Sequence, residues 1–130
     1  MPRRAPGVCA LLAVTGMSGD LVAFARMDGV PPLASETARR KCSTVGLTWK
    51  STAEFVAMLR EGQAREPHLP LGMLSIGEAV AIGGGVPVRA DGELIGAIGV
   101  SGASSEEDDA IAQTAAIAIA STDPQPEQDR

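Results

Sequence analysis

The chain has 130 residues, a formal net charge of -5 and aromatic side chains at 2% of its positions. This length fits a single domain that buries about two-thirds of the surface exposed by the unfolded chain. An acidic chain that lacks aromatic platforms for base stacking is atypical of nucleic-acid-binding proteins. No apolar run reaches the ~20 residues of a membrane-spanning helix, so we expect neither nucleic acid nor a membrane as a partner.

Two cysteines, Cys9 and Cys42, lie far apart, and the sequence has neither a CxxC motif nor a disulfide-dense pattern. We expect two reduced, buried thiols, which are typical of a cytoplasmic protein. The apolar run at residues 8–14 resembles a signal peptide only weakly, because it is short and no cleavage site of small residues follows it. We predict a first strand there instead.

The first two predicted strands form an antiparallel pair. Residues 8–15 are apolar on both faces, which predicts a central, covered strand. Turn residues at 16–20 lead into a partner strand at 21–27. Arg26 is charged on that otherwise apolar strand. It is either a strand-end arginine whose stem lies along apolar surface or an anchor for a ligand carboxylate.

A helix is predicted after Pro31 and Pro32. Its apolar residues recur at spacings of three and four and predict one buried stripe: Ala34, Ala38, Cys42, Val45 and Trp49. Arg39, Arg40 and Lys41 lie mostly on the other face, which is typical of a solvated helix surface.

Ser51 and Glu54 form a capping box that opens a second helix, and Pro67 and Pro70 end it. His68 lies between these prolines in a predicted loop. It is the single histidine of the chain and therefore the one nitrogen side chain typical of a metal or heme-iron ligand. The alternative is an exposed histidine without a ligand, because no cluster of metal-binding residues accompanies it.

A β-hairpin is predicted near the centre of the second half, after a short strand at 79–82. Residues 90–92 form its turn, because an Asp-Gly pair between apolar runs is a strong hairpin signal. Gly96 and Gly99 would weaken the second hairpin strand. They indicate close approach of another backbone in helix packing or a subunit contact, a bulge, or a ligand that lies on the sheet.

The last predicted helix begins after the serines at 104–105. Four carboxylates in its first turn complement the positive helix end. We favour this interpretation of the carboxylates over a calcium or magnesium site. The Ala/Ile-rich body at 110–120 suits burial against the sheet or at a subunit interface. Residues 122–130 are predicted to be a disordered tail.

Motifs of the common enzyme classes are incomplete. Residues 99–103 resemble a nucleophile elbow without its closing glycine, and the sequence has no phosphate loop, dinucleotide fingerprint or zinc signature. The residues alone therefore identify no reaction and no catalytic group.

Residues 83–102, with residues 21–29 upstream, resemble the GlcG/HbpS-like family, which includes GlcG proteins of glycolate operons, heme-binding HbpS-type proteins and the C-terminal domain of PduO. Lys41 and Thr44 fall where the family's first long helix usually carries a lysine and a threonine. The resemblance assigns residues 1–121 to one such domain. Relatives usually begin with an amphipathic helix, and we expect that helix to be missing here, because only residues 1–7 precede the first strand.

The resemblance implies an α+β, profilin/PAS-like three-layer α/β/α fold, with an antiparallel sheet of about five strands and flanking helices, and assembly into homo-oligomers. Studied members bind heme or related cofactors. The first hypothesis is thus a cytoplasmic small-ligand-binding domain, in which Arg26 and Lys41 anchor heme propionates and His68 ligates the iron. The alternatives are an enzyme or accessory protein acting on small hydroxy or oxo acids, with Lys41 as a cation or base and Arg26 on the carboxylate, and a structural assembly partner without a ligand.

Overall fold

A computed structural model describes residues 10–121, which form one antiparallel sheet with helices on its faces. The elements in chain order are β1 (Leu11–Gly16), β2 (Leu21–Arg26), α1 (Pro32–Thr48), α2 (Thr52–Arg65), α3 (Leu69–Met73), β3 (Gly85–Ala90), β4 (Glu93–Ser101) and α4 (Ser105–Ser121). The first residues of the predicted opening strand and the predicted tail lie outside the described residues.

The sheet has the strand order β2-β1-β4-β3, and every neighbouring pair is antiparallel. β1 is central, as predicted, since Leu12 lies opposite Ala25 of β2 and Val100 of β4. The predicted hairpin is β3–β4. At its turn Asp91 and Gly92 have φ of 52° and 81°, and two successive positive φ values are what a two-residue type I′ turn requires.

The predicted strand at residues 79–82 is wrong, because this segment carries no strand and the described sheet has four strands rather than about five. The segment is bound to α1 instead. The Val80 amide donates to Thr44 Oγ1 at 2.9 Å, and Arg39 donates to the Glu78 carboxylate. The Val80 amide therefore has a side-chain partner on α1 and not a partner in a strand.

The helix boundaries follow local signals with two differences. The capping box is confirmed, because the Glu54 amide donates to Ser51 Oγ at 3.1 Å and the Ser51 amide donates to Glu54 Oε1 at 2.9 Å. His68 lies in the turn between α2 and α3, as predicted, but it is also the N-cap residue of the short helix α3, which was not predicted. Trp49, predicted to be buried, is 65% exposed, because it takes a left-handed φ of 62° that ends α1.

Two apolar cores, one on each face of the sheet, confirm the three-layer arrangement. The core under α1 consists of Leu11, Ala13, Val30, Ala34, Ala38, Cys42, Val45 and Ala97. The core under α4 consists of Val86, Val88, Ile98, Val100, Ala112 and Ala116. From Gly96 to Ser101 β4 is therefore covered on both faces, as its sequence predicted, whereas Ile95 is 45% exposed.

The strand β2 differs from the rest of the sheet because all of its residues are exposed. α1 packs over β1, β3 and β4, and α4 packs over β3 and β4. The apolar side chains of Leu21 and Val22 are 60% and 66% exposed. α4 also buries only one stripe, so that Ile117 remains exposed. The predicted burial of α4 is thus confirmed for the stripe that faces the sheet.

Gly99 of β4 confirms the prediction that a strand glycine marks close approach of a helix. A Cβ atom at this position would collide with the backbone carbonyl oxygen of Ala38 and lie 3.1 Å from Cys42 Sγ, both on α1. The absence of a side chain is what lets α1 lie directly on the sheet.

We expect Gly99→Ala to lower the free energy of unfolding by about 1–3 kcal/mol, because the added methyl group overpacks the contact with α1. Urea denaturation would measure the change. Gly46→Ala is the matched control. It lies in α1 with its nearest atom, Met17 O, 3.8 Å from a Cβ position, so this change should raise stability by about 0.5–1 kcal/mol through helix propensity. A Gly99→Ala protein as stable as the parent would contradict the packing argument.

Candidate functional site

Lys41 is the charged side chain at the centre of the fold. α1 carries it into the interior, where the residue is 1% exposed, so its predicted place on a solvated helix face is wrong. Its Nζ donates to Val100 O at 2.6 Å and to Asp108 Oδ2 at 3.3 Å. Asp108 lies in the first turn of α4 and was expected only to complement the helix end. The buried partner is the physical reason that Lys41 faces inward.

Gly84 makes room for this ion pair. A Cβ atom on Gly84 would lie 2.7 Å from Lys41 Nζ and 2.6 Å from Val100 O, and the residue has a φ of +124°. The other Asp108 oxygen accepts from the Ala103 amide at 3.1 Å. Burial lowers the pKa of Lys41, and the charge of Asp108 partly offsets this effect. The pair therefore joins α1, β4 and α4 in the interior.

We expect Lys41→Met to cost about 3–5 kcal/mol of unfolding free energy, because it leaves the Asp108 carboxylate buried without its cation. Chemical denaturation of Lys41→Met, Asp108→Asn and the double variant would complete a double-mutant cycle. The double variant should be more stable than the sum of the single losses predicts. Lys50→Met, at an exposed lysine just beyond α1, should change stability by less than about 0.5 kcal/mol. Additive losses in the cycle would refute a direct interaction.

The structure does not bring the three predicted ligand-binding residues together. Lys41 is in the interior, Arg26 is on the exposed edge strand opposite Leu11, and His68 is exposed at the start of α3. Within residues 10–121, no group of three or more His, Cys, Asp or Glu side chains could hold a metal ion. The ligand-binding roles of all three residues stay predictions.

Cys42 is confirmed as a buried thiol. Its Sγ donates to Ala13 O at 3.5 Å. Burial raises the pKa of this thiol to about 11, although Thr15 and the Gly99 backbone partly counteract the shift. A thiol that stays protonated at neutral pH is neither a nucleophile nor a ready metal ligand. Cys9 lies outside the described residues.

An open apolar slot of about 310 Å³ lies between the β1–β2 end of the sheet and α4. Leu12, Ala25, Val100 and Ile111 are among its apolar walls, and Met27 and Arg26 also line it. Met27 Sδ accepts a hydrogen bond from the Ala10 amide at 3.3 Å. Sequence reasoning identified Arg26 but not the slot, because the slot exists only where α4 leaves the first two strands uncovered. Its chemistry suits a largely apolar ligand that carries an acid group or a metal with affinity for sulfur.

Comparison with known proteins gives a family and several relatives. The family model described as "Haem degrading protein HbpS-like" matches residues 3–117. Protein GlcG of Escherichia coli is 34% identical over 90 residues, which are 69% of this chain and 62% of GlcG. The corrinoid adenosyltransferase PduO of Salmonella typhimurium is 38% identical over 97 residues, which are 72% of this chain and 27% of PduO. The chain therefore spans less than two-thirds of either relative.

Solved structures agree with the family match. The PduOC:heme complex has a TM-score of 0.74 and 33% sequence identity. The match covers 86% of this chain and 79% of the PduOC chain. A double mutant of Streptomyces reticuli HbpS has a TM-score of 0.71 and 28% sequence identity, and the match covers 86% of this chain and 72% of the HbpS chain. Protein ORFY of Klebsiella pneumoniae has a TM-score of 0.74 and 26% sequence identity, and the match covers 85% of this chain and 74% of the ORFY chain. The fold of residues 10–121 is thus of the HbpS and PduOC type. No helix among these residues is long and apolar enough to span a membrane.

Proposed function

We propose, because the chain belongs to the HbpS-like family, that it is a small-ligand-binding domain and that its ligand is heme or a related cofactor. The observation that carries the proposal is the likeness to the PduOC:heme complex, at 33% identity and a TM-score of 0.74. The proposed role is therefore ligand binding.

The apolar slot offers the groups that heme requires. A heme site needs apolar walls for the macrocycle, an axial donor for the iron and cations for the propionates. Met27 provides a thioether, which is an accepted axial donor, and its Sδ accepts a weak hydrogen bond from the Ala10 amide in the slot. Arg26 provides a guanidinium at the slot and makes no ion pair within residues 10–121. Met27 would hold the iron and Arg26 a propionate, and the bound group would supply a redox-active iron centre.

Lys41 and His68 remain predicted heme contacts with different structural requirements. Lys41 Nζ is already held by Val100 O and Asp108, so it could reach a propionate only if that ion pair opened. His68 is exposed and does not line the apolar slot. A role for His68 therefore requires heme to bind at α3 rather than in the slot.

Titration of the purified protein with hemin, followed by the Soret band, tests the proposal. We expect a saturable, shifted band near one heme per chain. Met27→Leu keeps the apolar volume but removes the donor sulfur, so it should change the band and weaken binding by about tenfold or more. Met73→Leu in α3 is the matched control and should bind like the parent.

Two outcomes would contradict parts of this proposal. Loss of the band in His68→Ala, with Met27→Leu unaffected, would move the site from the slot to α3. Absence of a saturable band in the parent protein would rule out heme as the ligand.

We also propose that the chain forms homo-oligomers. β2 exposes Leu21, Val22 and Phe24 along one strand at the edge of the described sheet. Such a strand with unpaired backbone groups readily associates with another chain, and contiguous apolar patches usually mark interfaces.

The parent protein should elute as a multiple of the 13.3 kDa chain in size-exclusion chromatography with light scattering. Val22→Lys should shift it to a smaller species, because a charge would be buried in the interface. Leu71→Lys, on the exposed face of α3, controls for the added charge. A parent that is monomeric at every concentration would contradict the proposal.

A cytoplasmic location completes the proposal. Cys42 is a buried thiol that forms no disulfide within residues 10–121, and such thiols are the rule in reducing compartments. Cell fractionation with an antibody to the chain would test this location directly.

A further inference from the structure

A second cavity, of about 460 Å³, lies between α2 and α4 and shares no lining residue with the apolar slot. Val56 and Arg60 of α2 form one wall, Ile82 and Gly83 form the floor, and Glu106 and Asp109 of α4 contribute to the opposite wall. This volume is in the range of small-molecule sites. The cavity has no residue of the kinds that serve as axial ligands of heme iron, so it is a different site from the one proposed for heme.

Charges of opposite sign face this cavity without meeting. The ion pairs within residues 10–121 involve Arg39, Arg40 and Lys41 as cations, and none joins Arg60 to Glu106 or Asp109. The two helices therefore hold a guanidinium and two carboxylates apart across the opening. A ligand of intermediate size with a complementary charge at each end would satisfy both walls.

Asp109 supplies an independent indication. Its Oδ1 is buried and has no hydrogen-bond partner within residues 10–121. Lys41 Nζ donates to Val100 O and to Asp108 Oδ2 rather than to Asp109, although the charge of Asp109 also acts to raise the pKa of Lys41. Buried polar atoms are nearly always paired. The Asp109 carboxylate thus has acceptor capacity that the described residues do not use, and a donor group bound in the cavity would provide a partner for it.

We propose that this cavity binds a small zwitterion, a molecule of amino-acid size that carries an ammonium group and a carboxylate. Arg60 pairs with the carboxylate, and Asp109 and Glu106 receive the ammonium group. Val56 and Ile82 contact the aliphatic part. A dianion would meet two carboxylates on α4, and a simple amine would leave Arg60 without a partner, so the lining favours a ligand with both charges.

Isothermal titration with L-valine, within a panel of the common L-amino acids, tests this proposal. Isovalerate lacks the ammonium group of valine, and isobutylamine lacks its carboxylate. We expect at least one amino acid to bind saturably, and the corresponding analogues without one charge to bind about tenfold more weakly or not at all. Arg60→Gln and Asp109→Asn should each weaken amino-acid binding by about tenfold.

Arg65→Gln is the matched control, because Arg65 is exposed on the same helix and does not line the cavity. It should leave the affinity unchanged, and thermal unfolding should show that all variants are folded. The inference is overturned if no amino acid binds, if isobutylamine or isovalerate binds as tightly as the zwitterion, or if Arg60→Gln and Asp109→Asn bind like the parent. The affinity for hemin should be unchanged in Arg60→Gln. A failure of amino-acid binding can therefore be distinguished from a failure of heme binding.

Discussion

The ion pair between Lys41 and Asp108 is the interaction on which the layered arrangement depends. Both charges are removed from water, so each is tolerated only because the other lies beside it. The pair is completed by Val100 O and by the Ala103 amide. Gly84, in the glycine-rich segment before the hairpin, leaves the space that Lys41 occupies. The glycine and the buried ion pair together allow α1 and α4 to pack against the sheet.

The unequal coverage of the sheet explains both its open slot and its exposed edge. α1 extends over three strands, whereas α4 packs over β3 and β4. β2 is therefore held by its pairing with β1, and its apolar side chains have no helix to cover them. A largely apolar ligand and a second copy of the chain are both suited to this surface, because each would remove apolar area from water.

The features that depend on neighbouring residues were mostly predicted, and several that depend on distant residues were missed. The capping box of Ser51 and the turn at Asp91 are local, and both were found. Lys41 was assigned to the wrong face because its partner Asp108 is 67 residues away. The false strand at 79–82 has the same origin, since the Val80 amide bonds to Thr44 of α1, 36 residues away. Arg60 gave no signal at all, because its site exists only where α2 meets α4 in three dimensions.

The position of Cys42 makes its thiol a probe for the local separation of α1 from the sheet. Its thiol lies between α1 and the sheet, against the Gly99 contact, and burial holds its pKa near 11. A thiol-specific reagent requires both access and the thiolate form, and the burial of Cys42 restricts both while α1 rests on β4. The modification rate of Cys42 therefore measures how often the helix separates from the sheet, and it gives the free energy of that local opening without unfolding the whole domain.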